Sequence, residues 1–326
     1  MAAEKAEILL IGAAKPVILG GLEPSFVVHK LIEAKEPEAY LKDIAPRIRG
    51  IAIAYTSNKI DGAFMSRFPK LEIVSSFGVG YDHVDAKWAG GHGIIVTNTP
   101  EVLNEEVADT ALGLLLCTLR EFPQAERYLR AGKWVEKAYP LTATLRGRIV
   151  GIVGMGRIGK AIGRRLDAFG VTVVYHSRNP QSGVAYKYYS KLIDMARDVD
   201  TLMVIVPGGA ATKNLIDAEV LKALGPNGVL INMARGSVVD EPALIQALKD
   251  RTILSAGLDV FVNEPRVPQE LIDMDHIVLF PHLGSASAAT RKAMDQLVVD
   301  NLKAWFSGKL PLTPVPETPV AARKSA

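Results

Sequence analysis

The segment Arg148-Ile149-Val150-Gly151-Ile152-Val153-Gly154-Met155-Gly156-Arg157-Ile158-Gly159 constrains this chain more than any other. A β-branched apolar run stops at a glycine turn, and Ile158, Ala161, Ile162, Leu166 and Phe169 then recur at helical spacing. The glycines therefore stand where a strand hands over to a helix. Gly154 allows a tight turn, Gly156 lets a pyrophosphate approach the backbone, and Gly159 lets the helix pack closely on the strand. The N–H groups and positive end of that helix favour anionic phosphates. Elsewhere the same glycine spacing is an ordinary loop; between a strand and a helix it predicts dinucleotide binding.

Two alternating series of strands and helices extend over the chain. The first has strands at residues 7–11, 26–31, 51–54, 72–75 and 94–97, with helices at 37–48 and 60–68. The second begins at Arg148, with strands at 148–153, 171–175, 201–206, 228–232, 253–258 and 277–280 and helices at 217–224 and 241–249. Such alternation predicts an α/β fold of two doubly wound parallel-sheet domains. Between the series, Asn98-Thr99-Pro100 interrupts the pattern. A helix over 101–119 follows, apolar almost all round in its second half, which must be covered by the core or another subunit. The arm over 121–143 carries Tyr128, Trp134 and Tyr139 among many charges, as a contact surface does. A last helix spans 287–306. Beyond Lys309, prolines 311, 314, 316 and 319 leave little to bury, so disorder is expected over 311–326.

The cofactor is read from the end of the second strand of the nucleotide domain. An acidic residue usually stands there and binds a ribose 2′-hydroxyl. Here the strand runs Tyr175-His176-Ser177-Arg178-Asn179, with no carboxylate to repel a 2′-phosphate. Ser177 can donate a hydrogen bond to that group and Arg178 a charge-assisted one, although Arg178 also suits a solvated loop. The pair favours NADP, with NADPH preferred over NADH.

Ligands of open parallel sheets sit beyond the carboxyl ends of the strands, so cations and histidines at those ends are the candidates to meet one. Arg235 follows the 228–232 strand immediately before Gly236, placed either for a ligand or for a surface ion pair. Of six histidines, only His282 combines a strand end, a preceding proline and a following glycine. Were Glu264 to lie against its ring, the carboxylate would stabilise the imidazolium, which could protonate a ketone oxygen as hydride reaches the carbon. A structural histidine is the alternative. Finally, Gly78 and Gly80 in Phe77-Gly78-Val79-Gly80-Tyr81-Asp82 can turn backbone N–H groups toward a carboxylate, or serve only a sharp turn.

Four stretches, in this order and spacing, resemble the D-isomer-specific 2-hydroxyacid dehydrogenases, in particular the glyoxylate and hydroxypyruvate reductase branch. They are Phe77 to Asp82, Gly154 to Gly159, Asn232-Met233-Ala234-Arg235-Gly236, and Asp259-Val260-Phe261 with Glu264-Pro265 followed by Pro281-His282. The resemblance implies that His282 is the acid/base, that Glu264 tunes it, and that Arg235 binds and polarises the keto acid. It places the substrate carboxylate on the Val79 and Gly80 N–H groups, with Ser285 beside it and Trp134 reaching in from a partner subunit. Cofactor contacts map onto Met155, Arg157, Ile158, Ser177, Arg178, Asn179, Pro207, Thr212, Met233, Ala234, Arg235, Asp259, His282 and Gly284, in addition to the three loop glycines. A Rossmann cofactor domain, residues 99–286 with a dimerisation helix and arm over 101–145, is implied to interrupt a flavodoxin-like substrate domain, residues 1–98 plus 287–310. Closure of the two would exclude water. Formate-oxidising relatives carry glutamine where this chain has Glu264, so formate is not expected.

Composition narrows the partners. Hydrophobic residues make up 48% and charged residues 22%, and the net charge of +3 on 326 residues is small and scattered. Neither nucleic acid nor a membrane surface is called for, and no metal ligand set is assigned. The only cysteine, Cys117, excludes an intrachain disulfide, and a cytoplasmic protein is expected; the resemblance implies a homodimer. The expected reaction is NADPH-dependent reduction of glyoxylate or hydroxypyruvate to the D-2-hydroxy acid. Rival readings are a bulkier keto acid such as an aryl pyruvate, an NAD-linked D-lactate type, and a dinucleotide-sensing corepressor module.

Overall fold

The computed structural model describes residues 5–55, 58–318 and 320. The chain divides into two units, Met1–Leu103 with Ala288–Ala326, and Asn104–Ser287. Among the described residues no helix is long and apolar enough to cross a membrane.

The discontinuous unit holds five parallel strands, β1 (Glu7–Ile11), β2 (Val27–Lys30), β3 (Ile48–Ile53), β4 (Ile73–Ser76) and β5 (Ile95–Thr97). Their order is β2-β1-β3-β4-β5, the flavodoxin-like doubly wound arrangement. β1 and β3 are apolar almost throughout and β4, Ile73-Val74-Ser75-Ser76, is buried at every residue, because helices cover both faces. On one face Leu9, Ile11, Ile51, Ile53 and Val74 join Ile44 and Met65 in a buried cluster. The last helix, Ala288–Phe306, packs on β3 and β4 from the other face. The short helices Pro16–Leu22 and Ala86–Gly91 fall outside the sequence expectation, being too brief to show a helical period. Asp85 caps the second by accepting a hydrogen bond from the Trp88 N–H.

Residues 311–318 correct the expectation of disorder. Pro314 bridges antiparallel to Thr97, and the Val315 N–H donates to the Val96 carbonyl at 2.9 Å. The Thr318 hydroxyl accepts from the Val96 N–H at 3.0 Å, and both Val315 and Thr318 are buried. β5 is an edge strand with a row of unpaired backbone groups, and the extended tail satisfies them. Backbone pairing, which composition does not reveal, holds this segment. The remainder of the expected tail lies outside the described residues, apart from residue 320.

The continuous unit carries seven parallel strands: β6 (Ile149–Val153), β7 (Thr172–His176), β8 (Lys187–Tyr189), β9 (Thr201–Val204), β10 (Val229–Asn232), β11 (Ser255–Leu258) and β12 (Val278–Leu279). Their order, β12-β11-β10-β9-β6-β7-β8, is that of a Rossmann sheet with one further strand. Parallel pairing throughout brings every carboxyl end to one side of the sheet. The long helix Asn104–Arg120 begins three residues later than expected and packs on β11 and the helix Arg157–Ala168. A Cβ on Gly257 would overlap Thr118 and Leu114, so the helix lies directly on the strand.

The arm contains a helix, Phe122–Arg130, that the sequence did not reveal. It buries none of its residues, so no apolar face matches the core of its own unit. Phe122, Leu129, Trp134, Val135 and Leu141 of the arm are all exposed.

Candidate active site

Every loop singled out in the continuous unit emerges at the carboxyl ends of its strands. After β6, Gly154 adopts φ +107°, a conformation open chiefly to glycine. A Cβ on Gly159 would overlap the Gly154 carbonyl oxygen, so the glycine is what lets helix Arg157–Ala168 start so close to the strand. At Gly156 a Cβ would meet nothing within 4 Å. The space is open at the position where a pyrophosphate would lie against the backbone, and no acidic residue stands in the first turn of the helix. These residues fit a dinucleotide.

The turn after β7 carries Ser177, Arg178 and Asn179. Arg178 is exposed and makes no ion pair among the described residues. Ser177 differs from expectation in one respect: its hydroxyl donates to the Asn179 carbonyl at 2.7 Å and so shapes the turn. Beyond β9, the Thr212 hydroxyl donates to the Pro207 carbonyl at 2.6 Å and closes that loop.

After β10, the buried Asn232 folds the Arg235 turn. Its Oδ1 accepts from the Ala234 N–H at 3.0 Å, and its Nδ2 donates to the Arg235 carbonyl at 3.1 Å. Gly236 then abuts the backbone of Phe261 so closely that a Cβ there would overlap it. This contact sets Arg235 beside the loop that carries Glu264, a juxtaposition that sequence spacing does not show.

Glu264 and His282 meet as the sequence suggested. His282 Nδ1 donates to Glu264 Oε2 at 2.7 Å, while Glu264 Oε1 accepts from the Phe261 N–H at 3.0 Å. Burial alone would raise the Glu264 carboxyl. The His282 hydrogen bond and charge, the Phe261 N–H and the Arg235 charge outweigh it and hold the carboxyl below its usual range. Glu264 is therefore a carboxylate, and it occupies one ring nitrogen of His282 and directs the other away.

His282 itself sits at φ +53°, which is uncommon for a residue with a side chain. Asp259 holds it there. The His282 N–H donates to the Asp259 carbonyl at 2.9 Å, and the N–H groups of Leu283 and Gly284 donate to the Asp259 carboxylate. Burial raises the Asp259 carboxyl, and those two N–H groups and the His282 charge offset only part of that. Further along, the Thr110 hydroxyl donates to the Gly284 carbonyl and the Ser287 hydroxyl donates to Glu106, tying the loop to the long helix. Ser285 lies half-buried within this braced segment.

In the discontinuous unit, the loop after β4 presents Val79 and Gly80. Gly78 takes φ +128°; its N–H donates to Thr99 Oγ1 and its carbonyl accepts from the Thr99 N–H, both at 2.9 Å. Asn98 Nδ2 donates to the Val79 carbonyl at 2.9 Å. The N–H groups of Val79 and Gly80 have no acceptor among the described residues. Reading Asn98-Thr99-Pro100 only as a break missed this tether. The sequence also gave no sign of the cations under the loop: Lys15 Nζ lies 3.5 Å above the Phe77 ring and the Arg291 guanidinium 5.2 Å from it. Lys15 pairs with Asp295 at 2.8 Å, and burial lowers its ammonium pKa despite that partner.

The family described as D-isomer specific 2-hydroxyacid dehydrogenase, NAD binding domain, matches residues 112–284. An NADPH-dependent glyoxylate/hydroxypyruvate reductase from Sinorhizobium meliloti, solved in complex with NADP and malonate, is 51% identical with a TM-score of 0.91, covering 99% of this chain and 100% of its own. A glyoxylate/hydroxypyruvate reductase A of Arabidopsis thaliana is 43% identical over 312 residues, 96% of this chain and 99% of that one. A hydroxyphenylpyruvate reductase of Plectranthus scutellarioides is 47% identical over 255 residues, 78% of this chain and 82% of that one. The chain belongs to the D-isomer specific 2-hydroxyacid dehydrogenase family.

Proposed function

We propose that this protein is an NADPH-dependent reductase of small 2-keto acids, with glyoxylate and hydroxypyruvate as substrates and the D-2-hydroxy acid as product. The observation that carries the reading is the Glu264–His282 pair beside Arg235, at the same sheet edge as the glycine loop. Bound NADPH supplies the hydride. The residues of the chain do the rest. The Val79 and Gly80 N–H groups hold the substrate carboxylate, and Arg235 draws electron density toward the carbonyl oxygen. His282 donates its Nε2 proton to that oxygen, while Glu264 on Nδ1 keeps the ring oriented and stabilises the charged form before transfer. Ser285 sits beside the substrate as a further contact. The test is absorbance loss of NADPH and NADH against glyoxylate, hydroxypyruvate, pyruvate and aryl pyruvates. Fastest turnover with the two small acids is expected; preference for an aryl pyruvate would reassign the substrate, and no turnover would remove the enzyme reading.

Two substitutions test the cofactor assignment. Arg178→Ala is expected to raise the Kd for NADPH by about tenfold or more, one lost charge-assisted bond, and to leave NADH almost unchanged. Equal weakening of both would remove the 2′-phosphate role. At Gly156 the backbone has φ −78° and open space, so Gly156→Ala folds with an unchanged thermal midpoint. Its methyl group occupies the pyrophosphate position, and affinity for both dinucleotides falls by about tenfold. Normal affinity would move the pyrophosphate elsewhere.

The exposed apolar residues of the arm support a homodimer, with Trp134 reaching the partner's site. Sedimentation at twice the chain mass is the expected result; a monomer at assay concentration would count against it. We place the enzyme in the cytoplasm, as the single half-buried cysteine suggests.

A further inference from the structure

β8 is the strand that the sequence did not reveal, and it lies against the cofactor-selecting turn. Its Tyr188 stands opposite Tyr175 of β7 in the parallel register, with ring centroids 5.4 Å apart. The two hydroxyls grip the two ends of the turn. Tyr188 donates to the Ser177 carbonyl at 3.2 Å, and the Tyr175 hydroxyl accepts from the Gln181 N–H at 2.9 Å. Inside the turn, Ser177 Oγ and Gln181 Nε2 both donate to the Asn179 carbonyl. At the base of the turn, His176 Nδ1 donates to the Tyr189 carbonyl at 2.9 Å, joining the end of β7 to β8. The backbone is thus fixed on both sides of Arg178, whose own side chain is exposed and outside any ion pair among the described residues.

We propose that Tyr188 and Tyr175 are positioning residues for NADPH selectivity, holding the Ser177 to Gln181 turn so that Arg178 meets the 2′-phosphate. The proposal rests on the reading of Arg178 as the ligand of that phosphate. Arginine–phosphate bonds depend strongly on direction, so a turn free to rock loses affinity at this contact first. NADH has no 2′-phosphate and makes no use of the contact. Loosening the turn therefore weakens NADPH selectively, which a general loss of structure does not.

The experiment titrates the full-length protein with NADPH and NADH, following nucleotide fluorescence, for wild type, Tyr188→Phe, Tyr175→Phe and Arg178→Ala. Tyr188 is half-buried and keeps its ring in phenylalanine, so the variant retains the fold; the thermal midpoint checks this. Loss of one neutral hydrogen bond is expected to raise the NADPH Kd about threefold to tenfold in each tyrosine variant, with NADH within about twofold of wild type. Turnover at saturating NADPH stays at the wild-type value. Equal weakening of the two nucleotides, or no change in Tyr188→Phe while Arg178→Ala discriminates, would overturn the bracing role. If Arg178→Ala itself fails to discriminate, the 2′-phosphate reading falls first and this proposal with it.

Discussion

Replacing His282 with alanine is expected to lower kcat for glyoxylate by about two to four orders of magnitude, the usual share of a positioned general acid. The NADPH Kd should stay near the wild-type value. Both halves follow from how the residue is held. Glu264 occupies Nδ1, which leaves Nε2 to deliver the proton. The backbone around His282 is fixed independently of the side chain, through its own N–H on the Asp259 carbonyl and the Leu283 and Gly284 N–H groups on the Asp259 carboxylate. Alanine therefore removes the proton donor and leaves the loop standing. Water could still protonate the alkoxide, but without orientation or a stabilised charge. Turnover near normal in this variant would end the assignment of His282 as the acid.

Glu264→Gln should reduce kcat by about tenfold to a hundredfold, as one unmatched donor near the reacting group would cause. Two donors, His282 Nδ1–H and the Phe261 N–H, converge on this side chain, and a carboxylate offers each an oxygen. Glutamine offers one oxygen and turns an NH2 toward the other donor. It also removes the negative charge facing the ring. A stability signature accompanies the kinetic one. The folded-state pKa of Glu264 is depressed, so the ionised group favours the folded protein. That contribution is complete above the unfolded-state value, about pH 4.3, and is lost as pH falls through the lower folded-state value. The gap in thermal midpoint between wild type and Glu264→Gln should hold steady near pH 6 and close on acidification below about pH 4. A gap that instead widened on acidification would contradict the depressed carboxyl.

What could be read from the sequence was whatever neighbours in the chain determine. Gly154 to Gly159 declared a strand-to-helix turn because strand, glycines and helix are contiguous, and the structure requires two of those glycines by backbone contact alone. His282 stood out through Pro281, Gly284 and the strand end, and Glu264 through the parallel strand just before it. The elements that escaped depend on pairing between distant backbones or on very short segments. Residues 311–318 are held by hydrogen bonds to β5 and by the buried apolar side chain of Val315, too little for an apolar period to register. β8 has three residues, too few for alternation to register, yet it braces the turn of Arg178. Asn98 and Thr99 reach back about twenty residues to fix Val79 and Gly78, a contact local to the sheet and invisible along the chain. The arm helix has its apolar residues turned away from its own core, so the patterns that locate core helices do not apply to it.

The most direct test of the account is the amount and configuration of the product formed from hydroxypyruvate and NADPH, measured by chiral chromatography. Hydride delivered from one side of the carbonyl, with His282 protonating the oxygen held against Arg235, predicts D-glycerate in one-to-one ratio with the NADPH consumed. L-glycerate, a racemate, or NADPH left unconsumed would contradict it.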